Sequence, residues 1–589
     1  MKRTFANQDN LPKIPIPKLN DTCNRFIEWV QPLLTEEEFL KTKKMVEKFK
    51  SKDGDGKKLQ EELIRWAERN NLSNWTAPLW ENLYLASRNP LIIEGNVFYI
   101  IKNKLKDLGV TQEYMATALI LSVCRFKGLI DREELDVDLQ EDRPICMLQY
   151  KRLFSATRIP RREKDLLKIT PSQKYIVVLY KGQIFILDVL LDSGDMRSFV
   201  EIQEDLKYII NISKRREGEG LGILTTMNRD EWADTRKSLL KIDETNKENI
   251  EKIENAIFAL CLDDESPNSL EEASNMMLHG NGKNRWFDKS LQFIVAKNGE
   301  LGINMEHTGI DGSVMARFTE WIYEDMDKIH THEKKYLQNR PEKLTFHLND
   351  PLKKQISKAF NQFNEVVSNT ETRVFHFDQF GKKLIKTFGI SPDAFVQLAL
   401  QLAQYKLYGR CYSVYEAVMT RKFLAGRIEV MYCVSMESIE FIKNMISDCC
   451  DHNKKAASLK KAAQKHVERI KECKNGRGID GHLLGLLNMY DSFDKEIGVD
   501  TLPQIFTDKG YVTLTHSTIC TSTSSIKGLK LAGYGPVVED GFGIRYLKEN
   551  DYICFNITSR TYMKEKLNRL VLNIEESLIE MAKIMKLLS

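Results

Sequence analysis

Residues 299–312 read Gly-Glu-Leu-Gly-Ile-Asn-Met-Glu-His-Thr-Gly-Ile-Asp-Gly, and their first half predicts the return strand of a β-hairpin. The apolar run Leu291–Val295 stands before the stretch as the outgoing strand. Asn298-Gly299 is the dipeptide preferred in two-residue hairpin turns, and Leu301–Met305 then supplies a second apolar strand. The sequence therefore predicts two paired strands that lead directly into a loop.

That loop contains His307 and Asp311 in the pattern His-x-x-x-Asp-Gly, and residues Val314 to Ile322 follow with apolar side chains at helical spacing. A histidine that acts as a base near neutral pH needs a neighbouring group to fix its tautomer. An acid four residues later can provide that group, and Gly312 allows the backbone to turn tightly. Taken alone, the pattern is more often a structural loop histidine beside an aspartate, so both interpretations remain open here.

The composition describes a globular protein with room for several domains. The chain has 589 residues, 42% of them hydrophobic and 29% charged, and this length suggests two to four domains. A net charge of +4 argues against a dedicated nucleic-acid binder. The 11 cysteines include no CxxC pair, which is typical of reduced thiols in a cytosol-like compartment. No apolar run approaches the ~20 residues of a membrane span and no signal peptide is recognised, so a cytoplasmic location is expected.

Strands and helices alternate along much of the chain, which indicates an α/β layered architecture. The expected elements are a helix capped by Asp21 and ending at Val30, a capping box at Thr35–Glu38, a helix within Asn74–Arg88, a hairpin of Tyr175–Leu179 and Gln183–Val189, a short buried strand at Leu221–Leu224, a helix beginning near Asn228, a helix capped by Ser391, a strand plus loop over Tyr511–Ile526, and a closing helix over Met563–Leu588. Pro341–Pro351 is predicted to cross between domains.

Two further groups of residues could bind a negatively charged group. Lys382 and Lys386 precede the helix start at Ser391-Pro392-Asp393, and paired ammonium groups near free backbone N–H donors favour an anion. Tyr415 and the hydroxyl-rich run Thr521–Ser524 offer donors to an oxyanion. Each signal alone is more often an ordinary solvated or structural group.

Taken together and in order, these stretches resemble the choline/carnitine acyltransferase family from Pro12 to about residue 580. The HxxxDG pattern is also similar to that of the wider coenzyme-A-dependent acyltransferase superfamily. The matching stretches are Tyr150-Lys-Arg-Leu-Phe154, Thr157-Arg-Ile-Pro160, Arg285-Trp-Phe-Asp-Lys289, Glu306-His307 with Asp311-Gly312, Ser391-Pro-Asp-Ala-Phe395, Gln397–Tyr408, Asp480 with His482-Leu-Leu-Gly485, Gly535-Pro-Val-Val538 and Asp540-Gly-Phe-Gly543.

The resemblance implies an α/β fold of two related chloramphenicol-acetyltransferase-like domains that face each other across an active-site tunnel. Residues 1–70 would form an N-terminal arm and helices packing on the C-terminal domain. Residues 71–348 would form the N-terminal domain with the catalytic histidine. Residues 349–589 would form the C-terminal domain with the coenzyme A and acceptor sites.

The resemblance also implies catalytic roles. His307 would take the proton from the acceptor hydroxyl, Asp311 would orient the ring, and Ser522 would donate to the oxyanion, with Cys520 where the family has a first serine. A second alignment, which needs a two-residue gap, would use Ser522-Thr523-Ser524 instead.

The implied substrate contacts follow the same alignment. Lys382, Lys386 and Asp393 match coenzyme A positions, while Tyr84 and Tyr415 match tyrosines of the acceptor site. Acyl-CoA would be a co-substrate, with no tightly bound cofactor and no metal, and the partners would be small molecules only. A monomer without a transmembrane segment is expected.

The acceptor site departs from the family pattern. Carnitine enzymes usually have threonine and arginine where this chain has Ile428 and Gly481, and the serine two residues after Tyr415 is Ala417. A quaternary-ammonium alcohol without a carboxylate is therefore the expected acceptor. Two alternatives remain beside an active O-acyltransferase, namely an acyl-CoA-binding pseudoenzyme and a structural scaffold.

Overall fold

The computed structural model describes residues 3–171, 173–328, 340–524 and 526–587. Its α-helices are α1 Leu19–Val30, α2 Glu36–Phe49, α3 Asp55–Arg69, α4 Thr76–Ala86, α5 Gln112–Asp131, α6 Phe199–Ser213, α7 Arg229–Ile242, α8 Glu244–Asn255, α9 Leu270–Leu278, α10 Gly312–Asp325, α11 Asp350–Ser368, α12 Lys382–Thr387, α13 Pro392–Tyr408, α14 Met436–Ile446, α15 His452–Lys474, α16 Asp480–Ile497, α17 Lys509–Thr515 and α18 Lys564–Lys586.

The strands alternate with these helices along the chain. They are β1 Val97–Ile101, β2 Leu139–Gln140, β3 Arg143–Pro144, β4 Ala156–Ile159, β5 Leu166–Ile169, β6 Tyr175–Tyr180, β7 Gln183–Asp188, β8 Ala259–Asp263, β9 Leu291–Ala296, β10 Leu301–Met305, β11 Glu342–Leu344, β12 Thr370–Phe377, β13 Val414–Met419, β14 Ile428–Tyr432, β15 Ile519–Thr523, β16 Leu529–Gly533, β17 Phe542–Lys548 and β18 Ile553–Arg560.

The first large sheet has the strand order β11-β7-β6-β8-β9-β10-β1-β16. Strands β6, β8 and β9 run parallel to one another, and the other neighbours are antiparallel. Side chains alternate between two buried faces, as Phe98 and Tyr99 of β1 show by joining different apolar cores. Both faces of this sheet are therefore covered, which explains why its strands read as continuous apolar runs.

The second large sheet has the order β12-β18-β17-β15-β13-β14, with β13, β15 and β17 parallel. Its core contains Phe395 of α13 and Ile544 of β17. Phe26 of α1 and Leu63 of α3 belong to the same core, so N-terminal helices pack with the C-terminal half of the chain. Two large mixed sheets covered by helices confirm the α/β class.

The predicted domain boundary at residue 348 stays a prediction. One strand of the predicted C-terminal domain pairs with a strand of the predicted N-terminal domain. β16 comes from the C-terminal half of the chain, yet it pairs antiparallel with β1 at the edge of the first sheet. The two sheets are thereby linked by the short connections on either side of β16. Among the described residues, no helix is both long and apolar enough to cross a bilayer.

Several local predictions are confirmed. β9 and β10 form the expected hairpin, β6 and β7 form the second one around Lys181-Gly182, and α10 follows the histidine loop. The capping box at Thr35 is present, and the Ser391 side chain accepts a hydrogen bond from the backbone N–H of Ala394.

Three local predictions are wrong. Residues Leu221–Thr226 form a 3-10 helix rather than a strand, since a short buried apolar run carries no periodicity to distinguish the two. Residues Tyr511–Thr515 lie in α17, and only β15 within that region is a strand. Asp21 lies in the first turn of α1, whose N-cap is Lys18.

Candidate active site

His307 lies between the end of β10 and the start of α10, at the wall of a cavity of about 290 Å³. Residues from both halves of the chain line this cavity. The predicted site residues among them are Tyr84, His307, Asp311, Tyr415, Ile428, Cys520 and Ser522. Lys382, Lys386, Asp393 and Gly481 do not line it. The structure therefore brings together the predicted catalytic groups and the predicted acceptor groups other than Gly481, but not the predicted coenzyme A groups.

The environment of His307 favours the neutral imidazole. Burial lowers the pKa of His307 below its ordinary value, and the charge of Asp311 opposes that shift only in part. The ring stacks on that of Tyr84, with 5.4 Å between ring centroids and 24° between planes. The side chain keeps 23% exposure, which gives a substrate in the cavity access to it. A neutral histidine in this position is able to accept a proton.

Asp311 is held by partners other than the histidine. Its Oδ1 lies 3.9 Å from Nδ1 of His307, which is too far for a hydrogen bond. Arg427 donates to it twice, from Nε to Oδ2 at 2.8 Å and from Nη2 to Oδ1 at 3.0 Å. Gln149 Nε2 donates to Oδ2 at 2.7 Å. Burial would raise the pKa of Asp311, but the charge and hydrogen bonds of Arg427 outweigh it and hold that pKa below its usual value.

Arg427 connects this carboxylate to the histidine loop. Its Nη1 donates to the carbonyl of Thr308 at 2.6 Å, and its Nη2 donates to the carbonyl of His307 at 3.2 Å. Sequence reasoning gave Gln149 no role and did not place Arg427 beside Asp311. Gln149 immediately precedes the Tyr150–Phe154 motif, and this position was the one feature of the sequence that could have drawn attention to it.

The hydroxyl-rich run on β15 divides between the two faces of the second sheet. Cys520, Thr521 and Ser522 all line the cavity, although strand alternation turns the Thr521 side chain toward the opposite face of the sheet. The Thr521 side chain is fully buried, and its hydrogen bonds are made within the protein. Its hydroxyl donates to the carbonyl of Tyr415 at 2.7 Å and accepts from Gln397. Burial raises the pKa of the Cys520 thiol to about 12, which leaves it protonated and a weak nucleophile.

The predicted coenzyme A residues lie away from the cavity. Lys386 is exposed on α12, and Lys382 Nζ is 3.9 Å from Glu549 Oε2. Asp393 accepts from Tyr546 at 2.9 Å and from Lys548 in a short ion pair.

A buried histidine that sequence reasoning missed stands next to Asp393. Nε2 of His466 is 3.7 Å from the Asp393 carboxylate and 3.2 Å from that of Glu416. Although burial opposes it, the charge of Glu416 and the polar contacts of the ring with the Asp393 and Glu416 carboxylates raise the pKa of His466 to about 9.

Gly481, at the position where an arginine would be expected for a carnitine acceptor, lies next to carboxyl groups. Its backbone N–H donates to Glu429 Oε1 at 3.0 Å, and a Cβ atom at residue 481 would lie 2.9 Å from Glu429 Oε2. Burial and the neighbouring Asp480 raise the pKa of Glu429 to about 8. Burial raises the pKa of Asp480 to about 6, while Tyr432 donates to it at 2.6 Å. Both carboxyl groups therefore hold a proton more readily than free carboxyl groups do, and neither can serve as a cationic partner for a carboxylate.

Comparison with known proteins gives matches along nearly the whole chain. A family model described as Choline/Carnitine o-acyltransferase matches residues 14–576. Carnitine O-acetyltransferase of Columba livia is 33% identical over 601 residues, covering 99% of this chain and 95% of that protein. Carnitine O-palmitoyltransferase 2, mitochondrial, of Homo sapiens is 32% identical over 600 residues, covering 94% of this chain and 89% of that protein. The resemblance seen in the motifs is confirmed, and the cytoplasmic location stays a prediction.

Asp311→Asn is expected to destabilise the folded protein strongly, because it leaves the Arg427 guanidinium buried without its counter-charge. Loss of one partner of a buried ion pair costs about 3–5 kcal/mol of unfolding free energy, which urea denaturation measures. Asp234→Asn is the matched control, since it breaks the exposed Arg162–Asp234 pair and should change stability little. Equal, small effects of the two substitutions would show that Arg427 does not depend on Asp311.

Proposed function

The chain belongs to the choline/carnitine O-acyltransferase family, and on that premise we propose that it transfers an acyl group from acyl-CoA to the hydroxyl of a small alcohol. The observation that carries the proposal is one cavity lined by a neutral histidine, a serine hydroxyl and aromatic side chains. His307 is the base, Ser522 is the oxyanion donor, and Tyr84 and Tyr415 surround the acceptor.

In the proposed reaction, His307 accepts the proton of the acceptor hydroxyl while the alcohol oxygen attacks the thioester carbonyl carbon. The carbonyl oxygen becomes an oxyanion that receives a hydrogen bond from Ser522. The tetrahedral intermediate then collapses, the carbon–sulfur bond breaks, and the thiolate of coenzyme A takes the proton back from the histidine. Acyl ester and free thiol are the products, and no acyl-enzyme is formed.

Asp311 acts in this proposal as a positioning residue. It fixes Arg427, and Arg427 fixes the carbonyl groups of His307 and Thr308. The ring is therefore held through its own backbone and through stacking on Tyr84, rather than through a direct bond to the carboxylate.

Coenzyme A is proposed to reach the cavity past α12 and the start of α13. Lys382 and Lys386 would meet its phosphate groups as partly or fully exposed cations. Asp393, His466 and Glu416 form a buried polar cluster near that path and would face the pantetheine arm.

The proposed acceptor carries no carboxylate. A buried anion needs a cation or several donors, and the Gly481 position offers the carboxyl groups of Glu429 and Asp480 instead. The ring of Tyr415 suits a quaternary ammonium group, whereas the ring of Tyr84 already stacks with His307 and has the Arg427 guanidinium 5.7 Å from its centroid. Choline or a similar cationic alcohol is therefore the proposed acceptor class.

His307→Ala is expected to lower kcat for thiol release by ~10²–10⁴-fold, since it removes the proton acceptor. Affinity for coenzyme A should stay close to that of the wild type, as measured by calorimetric titration. His376→Ala, at an exposed position of β12, is the control and should leave both quantities unchanged. Near wild-type thiol release by the His307 variant would remove this residue from the mechanism, and tight coenzyme A binding without turnover by the wild type would favour a pseudoenzyme.

Gly481→Arg alone is not expected to create good carnitine turnover, because the new guanidinium would pair with Glu429. Gly481→Arg combined with Glu429→Gln should raise kcat/KM for carnitine by ~10–100-fold over the wild type, the scale of a charge-assisted hydrogen bond. Glu429→Gln alone is the control, and circular dichroism checks the folding of each variant. Wild-type turnover of carnitine as efficient as that of choline would mean that another residue receives the carboxylate.

A further inference from the structure

The buried arginines of the described chain have carboxylate partners with one exception. They are Arg158, Arg197, Arg229, Arg285, Arg421, Arg427, Arg469, Arg545 and Arg560. All but Arg545 lie within 4.0 Å of a carboxylate oxygen. Arg545 has no such partner in the part of the chain that the structure describes. Because a buried unpaired charge is strongly unfavourable, this arginine points to an anion supplied from outside the chain.

Arg545 is also exceptional in its location, because it lines the catalytic cavity while being only 4% exposed. Its Nη2 donates to the hydroxyl of Ser524 at 2.6 Å, and its Nε is buried without a hydrogen-bond partner. The guanidinium carbon lies 5.0 Å from the ring centroid of Tyr99. Neither a hydroxyl nor an aromatic face neutralises a guanidinium, so the site keeps an unmet requirement for negative charge.

Two further donors converge on the same point. A Cβ atom at Gly312 would lie 3.5 Å from Arg545 Nη2 and 3.7 Å from the Tyr99 hydroxyl, so the start of α10 faces both groups. The Asp311 side chain does not cap this helix, because Arg427 and Gln149 bind its carboxylate. The Tyr99 hydroxyl is buried without a hydrogen-bond partner. A helix N-terminus, a phenol and a guanidinium together form an anion site.

The strand register places this site on the side of Ser522 away from the acceptor. The second sheet runs β14-β13-β15-β17 across this face, and Tyr415 of β13 lies beside Cys520 of β15. On the opposite side of β15, Ser522 lies beside Arg545 of β17. The acceptor tyrosine and Arg545 therefore flank the proposed oxyanion donor from opposite sides.

The coenzyme A path is separate as well. Thr523 of β15 and Tyr546 of β17 are paired neighbours one residue along from Ser522 and Arg545, so their side chains lie on the other face. Both belong to the hydrogen-bonded surroundings of Lys548 and Asp393. An anion bound at Arg545 is thus distinct from the phosphates of coenzyme A. Since the acceptor lies on the other side of Ser522, the part of the reactants that can carry this anion is the acyl group.

We propose that Arg545, Tyr99 and the first turn of α10 bind a carboxylate at the far end of the acyl group, so that the acyl donor is the coenzyme A monothioester of a short dicarboxylic acid. The inference rests on the proposed acyl transfer. Neighbouring strands are about 4.8 Å apart, so a carboxylate on Arg545 lies only a few carbon atoms from a carbonyl carbon at Ser522. A cavity of about 290 Å³ also favours a short chain.

Calorimetric titration of the full chain, without any acceptor, tests the proposal. Succinyl-CoA and butyryl-CoA both have four-carbon acyl groups and differ in a terminal carboxylate or methyl group. The wild type should bind succinyl-CoA ~10–100-fold more tightly than butyryl-CoA, and Arg545→Met should abolish that preference while keeping its affinity for free coenzyme A. Equal wild-type affinities for the two thioesters would overturn the inference and leave the proposed function intact. Failure to bind coenzyme A at all would instead overturn the proposed function.

Thermal unfolding without ligand provides a second readout. Arg545→Met removes an unpaired buried charge and is expected to raise the unfolding midpoint. Arg197→Met is the matched control, because it breaks the buried Arg197–Asp205 pair away from the cavity and should lower the midpoint while keeping the succinyl preference. An equal loss of stability in both variants would show that Arg545 is a structural group and overturn the inference. Weaker carnitine binding by Arg545→Met, with no change for succinyl-CoA, would assign the anion to the acceptor and overturn it likewise.

Discussion

The buried ion pair between Asp311 and Arg427 is the interaction on which the rest of the site depends. Asp311 ends the histidine loop of the first sheet, whereas Arg427 immediately precedes β14 of the second sheet, 116 residues away. The same guanidinium holds the carbonyl groups of His307 and Thr308. Because either charge would be strongly unfavourable alone in this interior, the two sheets and the histidine loop are held in one relative position.

Charge is distributed unevenly across the second sheet, which forms part of the cavity wall. The Gly481 position near the acceptor side has the carboxyl groups of Glu429 and Asp480, whereas the opposite side has the unpaired guanidinium of Arg545. In the strand order, β15 with Ser522 lies between β14 with Glu429 and β17 with Arg545. In the proposed reaction, this arrangement would disfavour an acceptor with a carboxylate and an acyl group with a positive charge, because each would meet like charge.

Much of the frame could be predicted from local sequence, because the hairpin before His307 and the helix after it have strong periodicity and turn residues. The short 3-10 helix at Leu221–Thr226 could not, since a buried run of that length has no periodicity of its own. The partners of Asp311 were also missed: Arg427 and Gln149 are more than a hundred residues away, and no local pattern records such a contact. Arg545 was missed because the sequence does not show which arginines are buried or which of them lack a carboxylate partner; both depend on the folded structure.

Direct transfer between two bound substrates is the central claim, and it can be tested by rapid mixing of enzyme with a stoichiometric amount of acyl-CoA in the absence of an acceptor. A protonated Cys520 and a base without a hydroxyl to deprotonate leave the thioester intact. The expected result is no burst of free thiol until a hydroxyl acceptor is added, with the ester appearing at the rate of thiol release. A burst of one thiol per active site without acceptor, together with an acylated protein detected by mass spectrometry, would contradict the account.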